Sequence, residues 1–201
     1  MGDENKFQKL VINYQNCQNC TLFKSRTNVV FGEGNLNPGI IFVGEAPGRN
    51  EDISGSPFCG AAGELLNNYL EYIGFNRQDT YITNVVKCRP PNNRSPYIAE
   101  VKSCNEILSQ ELEILAPKII VTLGNIATKK FLNLNKGITE LRGKWFEKNQ
   151  YKILPMFHPA ALLRDPNKKN DTVKDFELLK REFNLWKNKE LLNREVFIDK
   201  T

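Results

Sequence analysis

Four short apolar runs set the frame of this chain: residues 39–43, 81–86, 118–123 and 153–157. Each is continuous and rich in isoleucine or valine, which suits strands buried on both faces of a parallel sheet. Stretches of helical period lie between them. Residues 61–73 carry Leu65, Leu66, Tyr69, Leu70 and Ile73 on one stripe. Residues 96–115 open with Ser95 and Pro96, an N-cap followed by proline at the first helical position. Residues 125–132 form a shorter helix, and helices are also predicted over 4–14 and 173–192. Strands alternating with helices imply an α/β chain, a three-layer α/β/α sandwich.

The chain has 201 residues, 40% of them hydrophobic, enough for one domain with a sizeable core. We divide it into an N-terminal helix and Cys-x-x-Cys segment (1–30), a core (31–170) and a C-terminal helix (171–192). There is no internal repeat and no low-complexity linker. A net charge of +5 permits a polyanionic partner without requiring one. The first residues, Met1 to Lys6, lack the basic and apolar regions of a signal peptide. No apolar run approaches the ~18 residues of a membrane span. A cytoplasmic protein is expected, and there five cysteines argue for ligation rather than disulfides.

Cys17 and Cys20 form one close pair, while Cys88 and Cys104 lie far along the chain. Four such thiolates can converge on one site, and zinc or an iron–sulfur cluster would accept them. Zinc ribbons usually carry two close pairs, so a single pair favours the cluster. Cys59 is left over as a small loop residue.

In an open α/β sheet, sites form beyond the carboxyl ends of the strands. The first run leads into Gly44-Glu45-Ala46-Pro47-Gly48, and the last into His158-Pro159. One carboxylate, Glu45, and the only imidazole, His158, therefore share a rim. Phe58 precedes a small-residue helix start, where backbone can approach a ligand closely; core packing would place it equally well. Asn84 sits inside an apolar strand and must find partners. Its amide can satisfy backbone or read the edge of a planar base. Leu162, Leu163 and Arg164 follow His158 on a Pro-bounded loop that suits a wedge into a base stack, with phosphate contacts beside it. A short amphipathic helical turn is the other reading of that segment.

Four ordered motifs, GEAPGRNED (44–52), GSPFCGAAG (55–63), TNVVKCRPP (83–91) and HPAAL (158–162), resemble a family 4 uracil-DNA glycosylase. The resemblance runs from about Cys17 to Lys180. It implies a 4Fe–4S cluster on Cys17, Cys20, Cys88 and Cys104, and a central sheet of four parallel strands. It implies that Gly44, Phe58, Asn84 and His158 bind uracil, with Phe58 stacking on the base and Asn84 pairing with its edge. Glu45 and His158 are the implied catalytic pair. Leu162, Leu163 and Arg164, with Arg89, Asn93 and Arg94, would meet DNA. The expected activity is hydrolysis of the N-glycosidic bond of uracil in single- or double-stranded DNA, by a monomer, leaving an abasic site. Two other classes are a catalytically weak iron–sulfur nucleic-acid binder of the same fold and a redox-sensing protein.

Overall fold

The computed structural model describes residues 2–198, with side chains described over 3–189. Its spine is a six-stranded sheet: β1 (Glu33–Gly34), β2 (Ile40–Gly44), β3 (Tyr81–Asn84), β4 (Ile119–Leu123), β5 (Phe146–Lys148) and β6 (Tyr151–Met156). The spatial order is β1-β3-β2-β4-β6-β5. The inner strands β3, β2, β4 and β6 pair in parallel and are the four apolar runs. An antiparallel strand closes each edge, β1 against β3 and β5 against β6. The four-stranded expectation omits these two. β1 has only two residues. β5 turns into β6 through exposed Asn149 at φ 54°, among polar residues with no alternation to mark a strand.

Among the described residues eight α-helices surround the sheet: α1 (Gly2–Tyr14), α2 (Arg49–Ser54), α3 (Ala61–Tyr72), α4 (Ile98–Leu115), α5 (Gly124–Leu132), α6 (Ile138–Leu141), α7 (Pro159–Arg164) and α8 (Lys169–Ile198). Side chains alternate across each strand, so the inner strands feed two cores. Ile41, Val43, Tyr81, Ile120 and Ile153 pack with Leu10 of α1, Ile107 and Leu108 of α4, and Phe131 of α5. Ile40, Phe42, Ile82, Val121 and Leu154 pack with Leu66 and Leu70 of α3 and Phe176 and Leu179 of α8. The expected three-layer sandwich follows from these two faces.

Three local expectations are corrected. α4 starts at Ile98, not at Pro96, because Glu100 folds back to accept from the Tyr97 backbone N–H at 2.7 Å. β3 ends at Asn84, two residues short of the expected 81–86 run, so Cys88 lies well beyond the strand. Residues 162–164, expected on a loop, belong to α7, the amphipathic turn that was the other reading. Residues from the N-terminal segment share the first of the two cores: Leu10 and Leu22 are both buried in it.

The carboxyl ends of the inner strands present Gly44, Asn84, Leu123 and Met156 along one rim. Gly44 is in register with Asn84, and Leu123 with Met156. This register places the motifs beside one another.

Candidate active site

Asn84 is 2% exposed, and neither its Nδ2 nor its Oδ1 has a hydrogen-bond partner. Among the described residues these are the only buried side-chain nitrogen or oxygen atoms left so. An unsatisfied buried polar group costs roughly 1–3 kcal/mol, which a fold tolerates where function uses the group. Beside it, Gly44 has no side chain because none fits. A Cβ there would collide with Asn84 Oδ1 and stand 2.7 Å from the Phe58 ring. The carboxamide and the aromatic edge thus converge over one glycine.

Phe58 reaches this place with a left-handed backbone, φ 53°. Its loop is fixed from several directions. Arg77 donates to the Pro57 carbonyl at 2.7 Å, to the Phe58 carbonyl at 3.5 Å and to Asn67 Oδ1 at 3.2 Å. The Glu51 carboxylate accepts from the Phe58 N–H at 3.2 Å and from the Gly48 N–H. Gly63 lies so close beneath that a Cβ would overlap the Phe58 carbonyl. The first and second motifs are therefore joined by Glu51. Glu51 stands three residues past Gly48 and makes the carboxylate half of a capping box; Gly48 has no side chain to make the other half, so the sequence signal is partial, and Arg77 left none. Asp52, also buried, accepts from the Thr27 N–H at 2.8 Å and the Asn28 N–H at 3.3 Å, tying the N-terminal segment to α2.

His158 caps α7. Its Nδ1 accepts from the Ala160 N–H at 3.2 Å, and its ring stacks on Phe58 with centroids 5.4 Å apart. Burial, and then the charge of Arg164, lower its pKa to about 4. The imidazole is thus neutral near pH 7. With Nδ1 accepting, the proton sits on Nε2, leaving a donor for a ligand oxygen.

Phe58 and His158 border a cleft of about 750 Å³, lined also by Glu45, Phe157, Asn93 and Arg164; Asn84 and Gly44 lie behind that lining. No described residue donates to the Glu45 carboxylate, while its backbone carbonyl accepts from the Val86 N–H at 3.2 Å. Arg164 is exposed and donates to the Ala160 carbonyl at 3.2 Å. Leu163 is 51% exposed, but Leu162 is 1% exposed and belongs to the interior. A wedge at this place can therefore use Leu163, not Leu162. Arg94 also departs from expectation. It is paired with Glu100 at 2.7 Å and 2.8 Å and lies 3.7 Å over the Tyr97 ring, so its charge is already answered. Arg89 donates to Asn93 Oδ1 at 2.7 Å, and Asn93 is exposed.

Away from the cleft, Cys17, Cys20, Cys88 and Cys104 line one small void with Arg26. Arg26 Nη1 lies 3.5 Å from Cys88 Sγ. Burial raises the thiol of Cys88 to about 12 and that of Cys104 to about 11. A bound cation would oppose that effect and favour thiolates. The donor set is all-sulfur, the chemistry that iron–sulfur clusters use, although among the described residues no three potential ligands stand close enough together to hold a metal ion. Cys59 is not part of it; it is exposed, with its Sγ 3.2 Å from Ser54 Oγ.

The uracil DNA glycosylase superfamily profile matches residues 31–180, the region that holds the whole rim. The chain belongs to the uracil-DNA glycosylase superfamily. The similarity is strong to proteins named type-4 uracil-DNA glycosylase. That of Archaeoglobus fulgidus is 44% identical over 176 residues, covering 84% of this chain and 88% of the relative. That of Saccharolobus solfataricus is 46% identical, covering 82% and 80%. That of Thermotoga maritima is 48% identical, covering 74% and 79%. The chain is accordingly a hydrolase of the N-glycosidic bond, in the type-4 branch of a DNA-repair superfamily. No described helix is long and apolar enough to cross a membrane.

Proposed function

We propose that this chain excises uracil from DNA after the nucleotide swings out of the base stack into the cleft, leaving an abasic site. A base within a duplex exposes neither its Watson–Crick edge nor its sugar carbon to a protein pocket, so extrusion comes first. The observation that carries the proposal is the unpartnered Asn84 carboxamide. Its donor and acceptor match the O4 and N3–H of uracil, and cytosine presents the opposite pattern. Leaving such buried groups mismatched is what makes rejection strong.

Phe58 supplies a face for the base to stack on. The amide has no access to solvent, and Phe58 is 3% exposed against His158. Admitting a base therefore requires the stacked rings to move apart. As the bond breaks, the sugar gains oxocarbenium character and the base leaves as an anion. The Glu45 carboxylate stabilises the sugar cation or orients the attacking water. The neutral His158 donates from Nε2 to the oxygen on which charge grows. Leu163 fills the gap left in the stack, and Arg164 and Asn93 face phosphate on either side.

Cys17, Cys20, Cys88 and Cys104 would hold a 4Fe–4S cluster, whose contribution is structural: it ties the N-terminal segment to the loop after β3 and to α4. No step of the hydrolysis passes through it.

The test is an oligonucleotide with a single uracil, followed by alkali-labile strand cleavage, with thymine and cytosine controls. Cleavage at uracil alone is expected, reduced about 10²-fold or more by Asn84→Ala. DNA affinity without any base release from metal-replete protein would replace this proposal with the binding-module alternative.

A further inference from the structure

Beneath Asn84 lies a polar network that the hydrolysis does not use. The side chain of Lys87 folds back along its own segment. Its Nζ donates to the Asn84 backbone carbonyl at 2.7 Å, to Thr83 Oγ1 at 2.6 Å and to Glu111 Oε2 at 2.6 Å. All three ammonium protons are used. Glu111, on α4, also accepts from the Tyr81 hydroxyl at 3.2 Å, from Thr83 Oγ1 at 3.1 Å and from the Gly32 N–H at 3.2 Å. Both Lys87 and Glu111 are 0% exposed.

A buried ion pair is a weak source of stability, because apolar residues of similar volume do as well or better. Its position is informative instead. The segment leaving Asn84 is held on its other side by the Val85 N–H, which donates to the Gly44 carbonyl at 3.0 Å. The Lys87 backbone N–H donates to Cys104 Sγ at 3.3 Å. Asn84's own amide, by contrast, has no hydrogen bond to fix its rotamer. The orientation of that amide is therefore inherited from a backbone that Lys87 grips.

We propose that Lys87 and Glu111 are positioning residues for base discrimination: they fix the Asn84 backbone and thereby the aim of its carboxamide. This rests on the assignment of Asn84 as the reader of the uracil edge. A misplacement of about 1 Å at such a site costs on the order of 10²-fold in rate.

The informative variant removes both charges together, Lys87→Met with Glu111→Leu, because either single change strands the other charge. Circular dichroism, thermal midpoint and iron content report whether it folds. Steady-state kinetics on uracil and cytosine oligonucleotides report kcat/KM and the discrimination ratio. The expected result is a folded, iron-loaded protein with kcat/KM on uracil lowered about 10- to 100-fold and a smaller uracil-to-cytosine ratio. Leu70→Ala, in the opposite core layer, serves as a control that loses stability and keeps the ratio. If the double variant does not fold, Thr83→Val is read in the same way, since it removes one acceptor of Lys87 and leaves the ion pair. A folded variant with wild-type kcat/KM and wild-type discrimination overturns the proposal. Asn84→Ala, measured alongside, separates the two ideas: full activity there removes the base-reading assignment itself, whereas activity lost there but kept in the network variants removes only the positioning role.

Discussion

The ring of Phe58 stacks on the imidazole of His158, with planes 28° apart, although the two residues come from opposite ends of the catalytic core. Each is held from behind: Phe58 by Arg77 and Glu51, and His158 by its own cap on α7. The stack removes water from the imidazole, and desolvation disfavours its charged form. An uncharged donor therefore faces the cleft.

His158 is the only histidine, so its ring protons give an isolated signal in proton NMR. We expect it to titrate near pH 4 rather than at the ordinary 6.5, with Arg164→Ala moving it upward. The folded pKa lies below the unfolded one. Between these values the unfolded chain binds more protons, so this group's contribution to stability is present above pH 6.5 and is lost as pH falls toward 4. The share of activity owed to His158 follows the neutral form and disappears over the lower part of the same window. A midpoint near 6.5 would show that the stack does not desolvate the imidazole.

Adjacent leucines on α7 should behave oppositely. Leu162 is 1% exposed and Leu163 is 51% exposed. Leu162→Ala should cost about 2–4 kcal/mol in denaturant unfolding, as for other buried leucines. Leu163→Ala should change stability by less than about 0.5 kcal/mol. Its effect should appear in kinetics, lowering excision from duplex DNA more than from single strands, where no stack needs filling. Equal losses on both substrates would remove the wedge role of Leu163.

The contrast between Leu162 and Leu163 also shows where sequence alone stops. The four central strands were legible because burial on both faces leaves continuous apolar runs, and their carboxyl ends located Gly44, Asn84 and His158. The edge strands were not, since β1 and β5 make too few apolar contacts to shape a pattern. Two adjacent leucines look alike in sequence; only the orientation of α7 separates them. Arg94 reads as a free cation until Glu100 folds back to it. Lys87 left a signal, a lysine after Val85 and Val86, but its partner Glu111 is distant in sequence and joined only by the packing of α4 on the sheet.

Gly44 should tolerate no side chain. Gly44→Ala places a methyl group against Asn84 Oδ1 and the Phe58 ring, so one of them must shift. The chain fold does not depend on either contact, and thermal unfolding should change by only a few degrees. Excision of uracil should fall about 10²-fold, the cost of misplacing a contact group by about 1 Å. Near-normal activity would mean that the two side chains move together during binding and that their spacing in the closed cleft is not used.

Removing the cluster should act first on the N-terminal segment. Cys17 and Cys20 follow α1, whereas Cys88 and Cys104 are buried 6% and 8% exposed in the core between β3 and α4. Purified under argon, the protein should carry iron and acid-labile sulfide in equal amounts. Cys104→Ser should lose both. With the metal gone, the buried thiols return to their neutral form, since burial holds Cys88 at about 12 and Cys104 at about 11. The link from residues 17–20 to the core then rests on the packing of Leu10 and Leu22, the Thr21 hydroxyl 3.4 Å from Glu100 Oε1, the Gln110 amide donating to the Tyr14 hydroxyl at 3.1 Å, and the Asp52 carboxylate that holds Thr27 and Asn28. Limited proteolysis should cut the variant between residues 14 and 30 while sparing the sheet, because the two cores on its faces are complete without the metal. Uracil excision should decline through the Lys87 N–H contact to Cys104 rather than through any loss of Glu45 or His158, so its pH profile should keep its shape as its height falls. Zinc in place of iron, with full activity, would remove the cluster and keep the structural role of the four thiolates.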